Sequence, residues 1–225
     1  MSDSTPKLSI VMPVYKRRRF LREAIWSIIG QTFTDWELIV VDDGSNDGGA
    51  VATEVYAAMG GDGRVKFAAV SENLGKGISC GPALNVGFKI ARGEYLAWVT
   101  DDNVWFPDCY RRLVVALDEG ADFVYGMTLV SGDGQGAYAV ATTPYGTEKF
   151  SAFCHCGIAF AYRRVVMEKV GEYGNRWDQD FVYWKAVQAA GFKIVSLPVP
   201  PLAVYRDHRN TVTARVQRGE LLESA

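Results

Sequence analysis

Two adjacent pairs of carboxylates, Asp42-Asp43 and Asp101-Asp102, each close a short apolar run, the second after a single Thr100. Tyr95 to Val99 reads as a buried strand, so Asp101 and Asp102 fall at its carboxyl end, where open α/β sheets place their ligands. Carboxylates side by side at a strand end repel each other and lose hydration; they persist when a cation or hydrogen-bond donors meet them. With Asn103 and Pro107, the same residues also suit the cap of a helix that begins near Phe106. A third acidic cluster, Asp178-Gln179-Asp180, opens a later helix. Acidic pairs gathered at the same ends of parallel strands are costly unless something positive binds there. A divalent cation with oxygen ligands is the simplest candidate, and it would carry a phosphate with it. Arg17, within the basic run Lys16 to Arg19, and Lys76 are then available for phosphate oxygens, although each also fits a solvated charged face.

The elements that must position these groups alternate between strand and helix. Leu8 to Met12 is a β-rich run that Pro13 should end, because proline cannot donate to a ladder. Phe20, Leu21, Ala24, Ile25, Ile28 and Ile29 recur at helical spacing, with Gly30 as a stop. Glu37 to Val41 predicts a second strand, Val51 to Met59 a second helix, Val65 to Val70 a third strand, and Pro82 to Ala91 a helix that carries Asn85. This β-α-β-α-β order implies a parallel, doubly wound sheet. Beyond Tyr95 to Val99, a helix is predicted over Phe106 to Leu117, with strands around Phe123 to Val130, Ala137 to Ala141 and Gly157 to Tyr162. Helices over Arg163 to Val170 and Asp178 to Ala190 follow, then a last strand over Phe192 to Leu197. The prolines at 198, 200 and 201 force an extended exit.

Composition narrows the function classes. The chain has 225 residues, 48% hydrophobic, and a formal net charge of -2, so no global basic field argues for nucleic acid. No apolar run approaches a membrane span and Met1 to Lys7 lacks a signal-peptide core, so a cytosolic protein is expected. Four scattered cysteines fit reduced thiols, and Cys154-His155-Cys156 lacks the second ligand pair of a structural zinc site. A dehydrogenase needs a Gly-x-Gly-x-x-Gly turn where this chain has Pro13-Val14-Tyr15-Lys16. A nucleotidyltransferase is disfavoured by the lack of a glycine- and arginine-rich loop after the first strand. A haloacid-type phosphatase is disfavoured because Asp42 and Asp43 are adjacent.

Thr100-Asp101-Asp102-Asn103, preceded by Gly93-Glu94-Tyr95 and followed by Pro107-Asp108, resembles the diphosphate-metal motif of family-two, GT-A-fold glycosyltransferases. The resemblance runs from Leu8 to about Thr213. It includes Ser9 to Tyr15, Ser27 to Thr32 with Trp36-Glu37-Leu38, the turn Val41-Asp42-Asp43-Gly44-Ser45, and Tyr162-Arg163-Arg164, Val170-Gly171 and Tyr205-Arg206-Asp207-His208. It implies a Rossmann-like α/β fold with an open, mixed, mainly parallel sheet flanked by helices. One domain would hold a nucleotide half to about residue 103 and an acceptor half to about 213, followed by a short tail. The implied activity is inverting transfer of a sugar from a UDP, dTDP or GDP sugar to a hydroxyl acceptor, with Mn²⁺ or Mg²⁺. By the same resemblance Asp43 accepts a hydrogen bond from the base, Tyr15 stacks on it, Asp101 holds the ribose or supports the metal, and Asp102 ligates the metal with His208 near. Pro13, Arg17, Lys76 and Asn85 join the donor contacts. Asp180 is the general base. Gln179 departs from the family's acidic pair, which leaves Asp178 as the alternative base. A non-catalytic sugar-nucleotide-binding protein on the same fold is the rival reading.

Overall fold

The apolar runs become strands whose alternate residues feed two cores. In the computed structural model, which describes residues 5–132 and 157–219, the first half holds β1 (Leu8–Val14), α1 (Leu21–Ile29), β2 (Trp36–Asp42), α2 (Ala50–Met59), β3 (Val65–Ala69), α3 (Gly81–Ile90) and β4 (Tyr95–Trp98). Then come β5 (Val104–Trp105), α4 (Cys109–Asp118), β6 (Phe123–Gly126), β7 (Thr128–Gly132), β8 (Phe160–Arg163), α5 (Arg164–Val170), α6 (Gln179–Ala189), β9 (Ile194–Leu197), β10 (Ala203–Asp207) and α7 (Val212–Gln217). Leu8, Ile10 and Met12 of β1 and Leu38 and Val40 of β2 pack with α1, α2 and α4. Val11, Ile39 and Val41 point the other way, against α3, α5 and α6. Both faces are covered, which is why these strands read as unbroken apolar runs. Gly87 lets α3 lie close on the sheet, since a Cβ there would come within 2.4 Å of a Val11 methyl.

The main sheet has the order β3-β2-β1-β4-β8-β6-β9, and β8 alone runs against the others. The chain winds outward from β1 through β2 and β3, then returns to place β4 on the other side of β1. The order therefore reverses between β1 and β4, and the crevice outside their carboxyl ends is where such sheets bind ligands. A smaller sheet, β5-β10-β7, lies beside it.

Several sequence expectations change. β1 runs through Pro13, which pairs with Val41 in register. Val14 O accepts from Asp43 N–H on the β2 side and Val11 O from Val99 N–H on the β4 side, so alternation turns the donorless Pro13 nitrogen toward β4, whose pairing has already ended. The single strand expected over Phe123 to Val130 is two, β6 and β7, in different sheets. The helix expected from Phe106 starts at Cys109, because Val104 and Trp105 pair with β10 as strand. Neither β10 nor α7 is expected from the sequence; β10 ends in Arg206 and Asp207 rather than in an apolar run, and α7 straddles the expected boundary between acceptor half and tail. Asp178 holds the N-cap position of α6 without a side-chain cap bond, its carboxylate being paired with Arg176. The strand expected over Ala137 to Ala141 and the Cys154-His155-Cys156 fragment lie outside the described residues.

At the amino end of the sheet Glu37 is buried with its charge intact. Its carboxylate accepts from Ser9 Oγ at 2.6 Å, Arg92 N–H at 2.8 Å and Lys66 Nζ at 2.5 Å. Burial pushes its pKa up, but the bonds from Lys66, Ser9 and Arg92 outweigh it and hold the carboxyl below its usual range. A depressed carboxylate stabilises the fold above its unfolded pKa of about 4.3 and loses that contribution as pH falls through the lower folded value. Glu37→Gln is therefore expected to lose about 1.5–3 kcal/mol at pH 7. Urea unfolding at pH 7 and below pH 4 checks this: the gap between variant and parent should narrow in acid, and a constant gap would refute it.

Candidate functional site

Three cavities open along the carboxyl edge of the main sheet, and Arg17 lines all of them. The first, about 400 Å³, is walled by Pro13, Tyr15, Asp43 and Asn73 and by Ile78 to Cys80. The second, about 580 Å³, is mostly apolar, with Trp98, Ile158, Trp177, Phe181 and Tyr205, and carries Asp102, Asp178, Gln179 and Asp180. The third lies over Lys16 to Phe20, Asp101, Asp102 and His208.

Asp43 reaches the first cavity from the end of β2. It is 4% exposed, and the turn at 73–75 holds it: Leu74 N–H donates to Oδ1 at 2.9 Å, while Gly75 N–H and Asn73 Nδ2 donate to Oδ2 at 3.1 and 3.0 Å. A carboxylate offers about four acceptor positions, so one on Oδ1 is left for a ligand. Burial nevertheless raises its pKa above the ordinary value against those two backbone bonds, with Asp42 adding to the rise. Gly75 is required in this turn, since a Cβ would meet Ser79 O at 1.8 Å. Tyr15 is half-buried in the same wall, with Lys16 Nζ 5.2 Å from its ring centre. Lys76 is exposed at a φ of 51° and does not line the cavity.

The Asp101-Asp102 pair sits at the switch point and is buried. Arg17 straddles it: Nη2 lies 2.7 Å from Asp101 Oδ1, Nε 3.2 Å from Asp101 Oδ2, and Nη1 2.9 Å from Asp102 Oδ2. The contact to Asp101 Oδ1 is an ion pair without hydrogen-bond geometry, and that buried oxygen has no hydrogen-bond donor. Burial pushes the Asp101 pKa up to about 7, against the pull of Arg17 and with the push of Asp102. At Asp102 burial acts the same way, but the His208 bond, the Arg17 charge and Thr100 overcome it and hold the carboxyl down.

His208 arrives because β10 pairs with β5, the strand that follows Asn103 directly. Arg206 N–H donates to Asn103 Oδ1 at 2.7 Å and sets the register of the exit. His208 Nε2 then lies 3.3 Å from Asp102 Oδ2, and Nδ1 accepts from Asn210 N–H. In the neutral ring that second bond leaves the proton on Nε2, so His208 donates to Asp102 in this arrangement. Among the described residues, no three or more His, Cys, Asp or Glu side chains gather as a metal cage. Two carboxylates, one with an orphaned buried oxygen, still fit a hard divalent ion of the kind that keeps most of its shell for water and phosphate.

Asp180 lies in the first turn of α6 on the second cavity, its Oδ1 accepting from Phe181 N–H at 2.8 Å. Gln179 is buried between helices: its amide donates to Cys80 Sγ at 3.2 Å and accepts from Ser79 Oγ at 3.2 Å. An acid there would bury a charge between two weak partners, which accounts for the amide. The structure does not bring Asn85 to the cavities. Its Nδ2 donates to Tyr173 O and its Oδ1 accepts from Tyr173 N–H, both at 2.9 Å, so the expected donor contact is replaced by a clamp on the chain before α6. Sequence reasoning did not assign Cys80, Trp177, Phe181 and Tyr205 to the site; Trp177 and Phe181 flank the Asp178-Gln179-Asp180 cluster, while Cys80 and Tyr205 come from the N-cap of α3 and the middle of β10.

Residues 9–171 match the family model described as "Glycosyl transferase family 2". The chain belongs to that family. The family-two match stops short of α6 and β10, so Asp180 and His208 lie beyond it. Glycosyltransferase RT0329 of Rickettsia typhi, itself uncharacterized, is 29% identical across 98% of this chain and 67% of its own length. Among solved structures, S. aureus TarS with UDP superposes with a TM-score of 0.72 at 18% identity, over 90% of this chain and 61% of that one. Mannosyltransferase PcManGT of Pyrobaculum calidifontis, with GDP-Man and Mn²⁺, gives 0.71 at 17% identity, over 97% and 62%. The fold of this family-two chain is thus the GT-A fold of those enzymes, and it spans about three fifths of each of their chains. No helix among its described residues is long and apolar enough to cross a membrane.

If Asn85 is a clamp, Asn85→Ala orphans a buried N–H and a buried C=O and should cost about 2–5 kcal/mol of stability. Nucleotide affinity of the folded protein, measured by calorimetry well below the melting temperature, should be unchanged; a selective loss of affinity would return Asn85 to the donor site.

Proposed function

We propose that this chain is an inverting glycosyltransferase that moves a sugar from a nucleoside-diphosphate sugar to a hydroxyl acceptor with the help of Mn²⁺ or Mg²⁺. The observation that carries this reading is the junction of two cavities at Arg17, whose guanidinium is paired to two adjacent carboxylates. The cavity holding Asp43 and the cavity holding Asp180 share Arg17, Ile78 and Cys80 as walls, and Arg17 is paired to Asp101 and to Asp102, the latter a wall of the second cavity. Group transfer needs two ligands bound end to end with charge handled between them. The relatives add weight, since TarS has been solved with UDP-GlcNAc and PcManGT with GDP-Man and Mn²⁺.

In this reading the base of the donor lies in the first cavity, stacked on Tyr15 beside Pro13. Asp43 accepts its ring N–H on the one Oδ1 position left open, which uracil, thymine and guanine satisfy. Asp102 would hold the cation, with Asp101 beside it; His208 would join it only by carrying its proton on Nδ1 and giving up the bond from Asn210 N–H. A cation held there would supply positive charge for the departing diphosphate. The acceptor occupies the second cavity, where Asp180 takes the proton of the attacking hydroxyl. Attack comes from the face opposite the diphosphate, so the configuration inverts and no protein nucleophile is needed. Lys76 is exposed next to Gly77, which lines the first cavity.

Two outcomes test the reading. Asp102→Asn keeps shape and removes charge, so nucleoside-diphosphate binding by calorimetry should become weak and insensitive to Mn²⁺; wild-type affinity with Mn²⁺ would defeat the metal assignment. Asp180→Asn should keep metal-dependent binding and lose about a hundredfold or more in transfer rate, as removal of a general base does. Asp178→Asn, which loses only a pair with exposed Arg176, should transfer nearly normally; the reverse pattern would move the base to Asp178.

A further inference from the structure

The carboxylate pair already has a cation. The Arg17 fork covers both oxygens of Asp101 and the Oδ2 of Asp102, the last shared with His208. A divalent ion of the Mg²⁺ class needs carboxylate oxygens at about 2.0–2.1 Å, and an ion at that distance from these oxygens would stand against the guanidinium with like charge. These three oxygens cannot serve both at once, and Asp102 Oδ1 lies outside the fork. Arg17 is also free to go elsewhere: it sits in the loop between β1 and α1, its side chain is 40% exposed, and it lines the nucleoside-side cavity as well as the other two. A planar fork that matches two carboxylates matches two phosphate oxygens equally well.

We infer that Arg17 and the divalent ion are alternative occupants of the Asp101-Asp102 pair, and that the donor diphosphate drives the exchange by giving the guanidinium its other partner. The inference rests on the donor reading above. With no diphosphate present, the ion must displace a resident ion pair, so its affinity is held low. With diphosphate present, the guanidinium transfers to phosphate and the carboxylates are released. Ion and nucleotide therefore bind cooperatively, and each raises the affinity of the other by the same factor. Arg17 is a positioning residue in this scheme, one that keeps the buried carboxylates matched until a substrate arrives.

The test is Mn²⁺ binding by the whole chain, followed by the electron paramagnetic resonance signal of free Mn²⁺, first alone and then with UDP or GDP. Arg17→Gln should bind Mn²⁺ alone about 10-fold or more tighter than wild type, and the tightening caused by nucleotide should shrink several-fold. Arg17→Lys, a point charge that cannot span both carboxylates, should fall between them and stands in if Arg17→Gln does not fold. Equal Mn²⁺ affinity in wild type and variant, measurable or absent, or weaker binding in the variant, overturns the exchange. A wild-type chain that binds no nucleoside diphosphate with or without Mn²⁺ overturns the donor reading instead, and the comparison with Mn²⁺ alone still decides whether guanidinium and ion compete.

Discussion

A guanidinium laid across two adjacent carboxylates is the interaction on which the site depends. Asp101 is 1% exposed at the end of a strand buried on both faces, where water cannot solvate its charge. Its position is not negotiable, because β4 is fixed between β1 and β8 by register. Leaving one member of such a buried pair unmatched costs about 3–5 kcal/mol. The loop after β1 must therefore deliver a cation to that point, and the sharp turn at Lys16, with a φ of 55°, directs Arg17 there.

The small sheet has the matching task on the other side. β5 is only Val104–Trp105, yet it begins one residue beyond Asn103 and pairs with β10. That pairing converts a distant stretch of sequence into a neighbour of Asp102, with Arg206 N–H on Asn103 fixing the exit and His208 following at once. Long-range register, set by a handful of ladder bonds, thus completes a charge network begun by the strand order of the main sheet.

The first half of the fold was legible because a parallel sheet covered on both faces writes itself as apolar runs separated by amphipathic helices. The carboxylates were legible for a related reason, since polar residues that follow such runs directly must lie at strand ends. The partners were not. Arg17 reads from sequence as a phosphate ligand within a basic run, and nothing local reveals that it lies on Asp101 and Asp102. Asn85 reads as a polar residue on a helix near the cleft, while its true partner is a backbone 88 positions away. β10, α7 and the split between β6 and β7 were missed because short elements made by tertiary pairing carry little periodicity of their own.

The division of labour between charged and neutral contacts follows from the same constraint. α6, which carries Asp180, has to be registered against the residues leading into α3, since Ile78 and Cys80 there are walls shared by the first two cavities. Buried charges could do this only by competing with Arg17 for Asp101 and Asp102, or by adding another ion with its own desolvation cost. The structure uses amides instead: Gln179 spans Ser79 and Cys80, and Asn85 clamps both polar groups of the Tyr173 backbone. Each bond is neutral, directional and short in reach, so it fixes the spacing of the helices without altering the field at the switch point. The amide at position 179 thus ties the start of α6 to the residues before α3 without placing a further buried charge beside Arg17 and its two carboxylates.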